Sequence, residues 1–406
     1  GIVFSFLIIL HILTRRLHFL GVSCEKPLGR RATVPVVHVQ GSHYDVGFDV
    51  GRTFSSVIKS FIATYENLRD FEKEYRTETG RAAYDKTLAN MKKKFPYYVK
   101  EIQGVADGAN VPFYQLFLLQ MDDLIGNVND NHIPRNDTGG CSSIAFKNPH
   151  TLLGHTEDAF HETLNHFYIM SAHIIPTPED REAGAVEERF TSLCYAGHMP
   201  GYTMGYNQNG LVFSINTLSP LILKHGNTPR TFLTRAMLTA KNFSQAEQIL
   251  RDEGLGIGNG FSVNMIWTSN WGDRQIYNVE VSPDLNADRS HLNIQKYDKE
   301  VLVHCNKYQR TNVTEVTGSI IDSSIERLQV IHGYPKPRNR PDLAEIISDT
   351  TGKNYRVFAD RPDDIIMTIA AGIFDLDKRT WSIYINRPKT SEPVAVLPIT
   401  FSSLDY

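Results

Sequence analysis

Apolar and polar positions change their period along the chain. From residue 44 to 71 apolar side chains recur at helical spacing (Phe54, Val57, Ile58, Phe61, Ile62, Tyr65, Leu68), which predicts a helix with one buried face. A second helix is expected over 81–91, followed by Lys92, Lys93 and Lys94 as a solvated face. Pro96 interrupts this helix and 99–106 resumes it. The run VPFYQLFLLQMDDL is apolar enough to be a buried helix. Ahead of all these, Val34, Val36 and Val39 lie in a β-prone run that Gly41-Ser42 breaks.

Beyond residue 125 the texture changes. GNVNDNHIPRNDTGG, at 126–140, is too polar for a core and reads as a loop. CSSIAF and TLLGHTED then read as two strands joined by a turn at Asn148-Pro149. Further strands are expected in HFYIMSAHII, RFTSLCYA, GYTMGYNQ, GLVFSINT, FSVNMIWTS, QIYNVEVS, IIMTIAAGIFD, WSIYINRP and VAVLPITF. Helices at 231–240, 244–252, 323–332 and 342–348 interleave with them. This order argues an α+β fold, with sheets face to face and helices outside. No repeat or linker appears, so 31–406 reads as one domain with a cuttable loop near residue 130.

Composition narrows the partners. Apolar residues are 41% and charged residues 21% of 406, and the net charge is −3, so no field steers the chain to nucleic acid or an anionic membrane. Cys24, Cys141, Cys194 and Cys305 are scattered and form no CxxC, which excludes a zinc ribbon or a disulfide scaffold. Residues 1–30 begin with GIVFSFLIILHIL, too short to span a bilayer. They read as a signal or anchor remnant, or as a misassigned start. The cytoplasm is the expected location unless residues 1–24 are a genuine signal; only then would the acceptor patterns at Asn136, Asn242 and Asn312 matter.

Three motifs compete for chemistry. HETLNH, at 161–166, resembles HExxH, but its histidines are five apart and would not share a helix face. GLGIGNG, at 254–260, has the wrong spacing for a nucleotide cradle and follows a helix instead of opening one. Cys141 remains. A lone cysteine is most often a small buried hydrophobe. This one, however, sits where a polar loop meets a strand, after Gly139 and Gly140 and before Ser142 and Ser143. A self-cleaving nucleophile needs such a place: its sulfur attacks the preceding carbonyl, and the freed α-amine, with a pKa near ~7.7–8.0, becomes the base for its own side chain.

The segment GGCSSIAF…GHTEDAF resembles the N-terminal-nucleophile hydrolases of the acyl-coenzyme A:isopenicillin-N acyltransferase type, from about Val34 to the C-terminus. VHVQGSHYDVGFDVG and EIQGVADGANV resemble two further family signatures. The resemblance implies a four-layer αββα sandwich, autocleaved into an α chain ending at Gly140 and a β chain starting at Cys141. It implies Cys141 as nucleophile and Asp158, in GHTEDAF, as the carboxylate that orients its α-amine. Asn216 matches the strand-end asparagine, Asn306 an oxyanion-hole asparagine and Arg327 an arginine near the cysteine. His155, Thr156 and Glu157 depart from the family's turn and carry no implied role. Within the family the chain looks most like members that hydrolyse β-alanyl conjugates of biogenic amines. A small-molecule amide substrate follows, with no metal or organic cofactor and the αβ unit free to assemble further. Two alternatives stay open: an acyltransferase on the same scaffold, and an uncleaved protein that only binds small amines.

Overall fold

The structure, a computed structural model, describes residues 29–126, 140–364 and 366–402. The expected loop at 126–140 lies almost wholly outside the described residues, as do the apolar start, Cys24 and Asn136. From Ala32 onward the chain forms one compact unit.

Strand β1 (Val36–Gly41) leads into helix α1 (His43–Thr53). A capping box fixes the turn between them: the Ser42 side chain accepts from the Asp45 N–H, and the Asp45 carboxylate accepts from the Ser42 N–H. The single helix expected over 44–71 is instead three, α1, α2 (Ser55–Thr64) and α3 (Glu66–Tyr75), broken at Phe54 and Tyr65. Both break residues turn their rings inward, Phe54 onto Tyr168 at 4.0 Å between centroids and Tyr65 onto Phe61 at 4.7 Å. Aromatic packing thus outweighs helix continuity. Helix α4 (Glu78–Lys94) stops at Phe95, and Pro96 opens α5 (Pro96–Ala109), where its missing N–H costs nothing. Helices α6 (Phe113–Met121) and α7 (Asp123–Gly126) follow.

Helices α1 and α5 pack backbone against backbone. A Cβ on Gly47 would meet the Glu101 carbonyl oxygen at 2.2 Å, and one on Gly104 would meet the Tyr44 carbonyl oxygen at 2.2 Å. The glycines of GSHYDVGFDVG and EIQGVADGANV are therefore a packing requirement.

The rest of the chain alternates as β2 (Cys141–Phe146), β3 (Leu152–Phe160), β4 (Phe167–Ile174), α8 (Pro178–Glu182), β5 (Glu188–Tyr195), β6 (Met204–Asn207), β7 (Leu211–Leu218), α9 (Arg230–Met237), α10 (Phe243–Arg251), β8 (Gly260–Asn270), β9 (Asp273–Pro283), β10 (Ser290–Tyr297), β11 (Leu302–His304), α11 (Ser319–His332), α12 (Arg340–Ile347), β12 (Ile366–Asp375), β13 (Thr380–Tyr384) and β14 (Ala395–Pro398). One sheet runs β1-β4-β5-β6-β7-β8-β9-β10, and the other β11-β2-β3-β12-β13-β14. All pairings are antiparallel except β1 with β4. Strands β10 and β11 escaped the sequence reading. The first is an edge strand without clean alternation, and the second has three residues.

Three apolar clusters organise the core. One joins the N-terminal helices to the larger sheet, for example Phe61 and Leu116 with Phe213 and Val263. A second draws on both sheets, with Ile169, Leu193 and Val212 beside Ala145, Ile369 and Trp381. A third sets Ile331, Leu343 and Ile347 against Ile144, Leu152 and Ile373 of the smaller sheet. Strand β2 is consequently buried at every position, which explains why CSSIAF shows no alternation. The fold is α+β with two sheets. HETLNH forms a single 3-10 turn, His161–Thr163, running toward β4, and His166 is spent on Ser60 and the Glu162 carbonyl.

Candidate active site

Strands β2 and β3 form the hairpin expected around Asn148-Pro149, with Cys141 opposite Glu157, Ser142 opposite Thr156 and Ser143 opposite His155. Alternate residues share a face. Cys141, Ser143, His155 and Glu157 therefore line one side, while Ser142, Thr156 and Asp158 line the other.

The backbone of Cys141 is held at both ends. Its N–H donates to Asn306 Oδ1 at 2.7 Å. Its carbonyl accepts from Asn216 Nδ2 at 2.9 Å and Arg327 Nη1 at 2.8 Å. Arg327 also donates from Nη2 to Asn306 Oδ1 at 2.9 Å and from Nη1 to Ser142 Oγ at 3.0 Å. Strand β7 brings Asn216, the residues after β11 bring Asn306, and α11 brings Arg327. Asp158 comes from β3, with Thr368 Oγ1 donating to its Oδ1 at 2.6 Å. A Cβ on Gly140 would lie 3.0 Å from Arg327 Nη2 and 3.4 Å from Asp158 Oδ2. Guanidinium and carboxylate thus crowd the Gly140–Cys141 peptide bond, where a glycine fits best.

The structure brings all five candidate residues around this one peptide. One of them presents its acceptor edge to Cys141. Asn306 Nδ2 donates to the Thr217 carbonyl at 3.0 Å, so its amide oxygen faces Cys141. Both neighbours of that oxygen are donors, which fixes the amide orientation. In the uncut chain Asn306 is an acceptor for the Cys141 nitrogen, and its donor edge is held by Thr217.

Burial sets the electrostatics. Cys141 is 5% and Asp158 3% exposed. Burial, then the charges of Glu157 and Asp158, push the Cys141 thiol well above its ordinary range, against the Asp158 backbone N–H and Arg327. Burial also pushes the Asp158 carboxyl up to about 7, with Arg327 and the Thr368 hydrogen bond opposing it.

Several neighbours were not singled out from sequence. His155 Nδ1 meets Ser143 Oγ at 2.8 Å, and His155 Nε2 meets Glu157 Oε2 at 2.8 Å. The Tyr195 hydroxyl donates to Glu157 Oε1. Cys141 Sγ, a His155 ring nitrogen and a Glu157 carboxylate oxygen all lie within 4.8 Å of one another. These are donor types a metal could use, but both His155 nitrogens are already engaged. The hairpin register was a usable signal: a turn at Asn148-Pro149 puts Glu157 opposite Cys141. Cys305 packs in the third cluster, its Sγ 3.6 Å from Ser142 Oγ, and Cys194 packs in the first.

Two residues past Glu157 on the same face, Ala159 borders a narrow slot walled by Phe61, Phe160, Tyr195, His198 and Tyr202. Tyr195 meets His198 and Tyr202 edge-on, with centroids 5.5 Å and 6.1 Å away. The slot therefore starts from the residue that also holds Glu157. Among the described residues, no helix is long and apolar enough to cross a membrane.

Residues 146–390, beginning just after Cys141, match the family described as acyl-coenzyme A:6-aminopenicillanic acid acyl-transferase. The chain is also 42% identical over 389 residues to the beta-alanyl-dopamine/carcinine hydrolase of Drosophila melanogaster, covering 94% of this chain and 100% of that protein. The chain thus belongs to the acyl-coenzyme A:6-aminopenicillanic acid acyl-transferase family.

Proposed function

We propose that this chain is a cysteine N-terminal-nucleophile amidohydrolase, a single four-layer αββα domain from residue 31 onward. It cuts itself between Gly140 and Cys141 and then hydrolyses β-alanyl amides of biogenic amines, N-β-alanyl-dopamine and carcinine among them. The observation that carries this reading is the convergence on one peptide bond: Asn306 on the Cys141 nitrogen, Asn216 and Arg327 on its carbonyl, and Asp158 beside Gly140.

After cleavage the α-amine of Cys141 has acceptors waiting in Asn306 Oδ1 and the Asp158 carboxylate. A free α-amine, with a pKa near ~7.7–8.0, can take the thiol proton as sulfur attacks the substrate carbonyl. It then returns that proton to the departing amine, and water releases β-alanine from the thioester. No metal or organic cofactor enters these steps. The family description favours a second reading, in which the acyl-enzyme passes its acyl group to an amine.

Intact-mass measurement and N-terminal sequencing of the wild type beside Cys141→Ala test the first step. A fragment starting Cys-Ser-Ser-Ile in the wild type alone supports self-cleavage. One uncut, folded chain in both sinks it and favours the binding protein. Release of β-alanine from N-β-alanyl-dopamine tests the second step. Transfer product exceeding free acid, with a competing amine present, would replace the hydrolase by an acyltransferase.

A further inference from the structure

The α-amine that serves as base in the mature enzyme cannot help to create itself. Until the Gly140–Cys141 bond is cut, that nitrogen is an amide without basic character. Its N–H, moreover, is donated to Asn306 Oδ1 at 2.7 Å. The precursor therefore needs another proton acceptor for a thiol that burial and two carboxylates keep protonated.

We infer that His155, backed by Glu157, is the base for self-cleavage; this rests on the self-cleaving reading above. Three observations carry it. The Cys141 sulfur, a His155 ring nitrogen and a Glu157 oxygen lie within 4.8 Å of one another, all on buried side chains. His155 Nε2 meets Glu157 Oε2 at 2.8 Å and Nδ1 points toward Ser143, so the carboxylate holds the ring in place. Ser143 Oγ touches that Nδ1 at 2.8 Å but also reaches Asn216 Oδ1 at 3.1 Å, so its single proton can turn away and free the nitrogen. Thiol, imidazole and carboxylate are the three groups that a nucleophile, its base and the group orienting the base require, and here they share one strand face. Imidazole also matches a thiol in basicity better than Glu157 alone.

The step balances without an outside reagent other than water. The Cys141 S–H proton passes to His155 as sulfur bonds to the Gly140 carbonyl carbon. The carbon–nitrogen bond then breaks, and the imidazolium returns the proton to the Cys141 nitrogen. Water cleaves the resulting thioester, leaving the Gly140 carboxylate, the thiol and the free α-amine. His155 thus acts on the precursor, and the α-amine on the substrate.

The experiment follows conversion of freshly translated full-length precursor by mass, for the wild type, His155→Gln, Glu157→Gln and Cys141→Ala. Gln at 155 can keep both hydrogen bonds yet takes no proton. The expected result is conversion at least ~100-fold slower for H155Q, less slowed for E157Q and absent in C141A. A wild type that never converts defeats the self-cleaving reading itself. A converting wild type with H155Q within threefold of it overturns the inference and leaves the reading intact. A larger loss in E157Q than in H155Q overturns it too, in favour of the carboxylate. Should H155Q fail to fold, His155→Asn takes its place and is read by the same outcomes.

Discussion

The buried Asp158 carboxyl makes the stability of the uncut chain depend on pH in a direction opposite to that of most carboxylates. Burial moves its pKa from 3.8 to about 7. Between those values the folded chain holds a proton that the unfolded chain has lost, so stability falls as pH rises and levels off above about 7. At 1.36 kcal/mol per pH unit, the whole span is worth about 4 kcal/mol, of which about 3 falls between pH 4.5 and pH 8. The perturbation is Asp158→Asn in a Cys141→Ala background, which prevents cleavage from adding an ammonium beside the carboxyl. Asn keeps an oxygen for the Thr368 hydroxyl, whose present bond is 2.6 Å, but cannot ionise. Urea unfolding of C141A and C141A/D158N at several pH values gives the difference in stability, in which other titrating groups cancel. The difference should move by about 3 kcal/mol in favour of Asn from pH 4.5 to pH 8. A gap constant to within about 1 kcal/mol would refute the claim that Asp158 stays protonated near neutrality.

The remaining predictions concern packing and positioning. Gly104→Ala drives a Cβ to 2.2 Å from the Tyr44 carbonyl oxygen and should cost at least ~1–3 kcal/mol, read as a lower urea midpoint; an unchanged midpoint rejects the backbone contact of α1 and α5. Arg327→Met removes one donor to the Cys141 carbonyl and the cation near Asp158, and should slow processing at least ~100-fold. Lys should not restore it, because one ammonium cannot replace a fork that reaches both Cys141 O and Asn306 Oδ1.

Much of the site's address was legible one strand at a time. Gly140-Cys141 announces itself by a polar loop ending in two glycines, and the hairpin turn at Asn148-Pro149 fixes which β3 residues face the cysteine. His155 and Glu157 could have been read from that register, since alternation carries them to the face of Cys141. The breaks at Phe54 and Tyr65 could not, because helical periodicity continues through both and only their ring partners reveal the turns. Strand β10 was hidden for a related reason: at the sheet edge its pattern of exposure is mixed.

The sequence by itself determined the α+β order of elements and a cysteine placed after two glycines at a loop–strand junction, because these follow from local chemistry and spacing. Tertiary structure decided what surrounds that cysteine, and packed α1 on α5 through their glycines. Strand β11 pairs with β2 so that, two residues past His304, Asn306 comes level with Cys141. Asn216 arrives from the other sheet, and Arg327 from a helix packed beside β11. The orientation of the Asn306 amide and the elevated Asp158 carboxyl are likewise products of assembly. Each depends on donors, charges and burial contributed by residues distant in sequence, and no local pattern records which of them will meet.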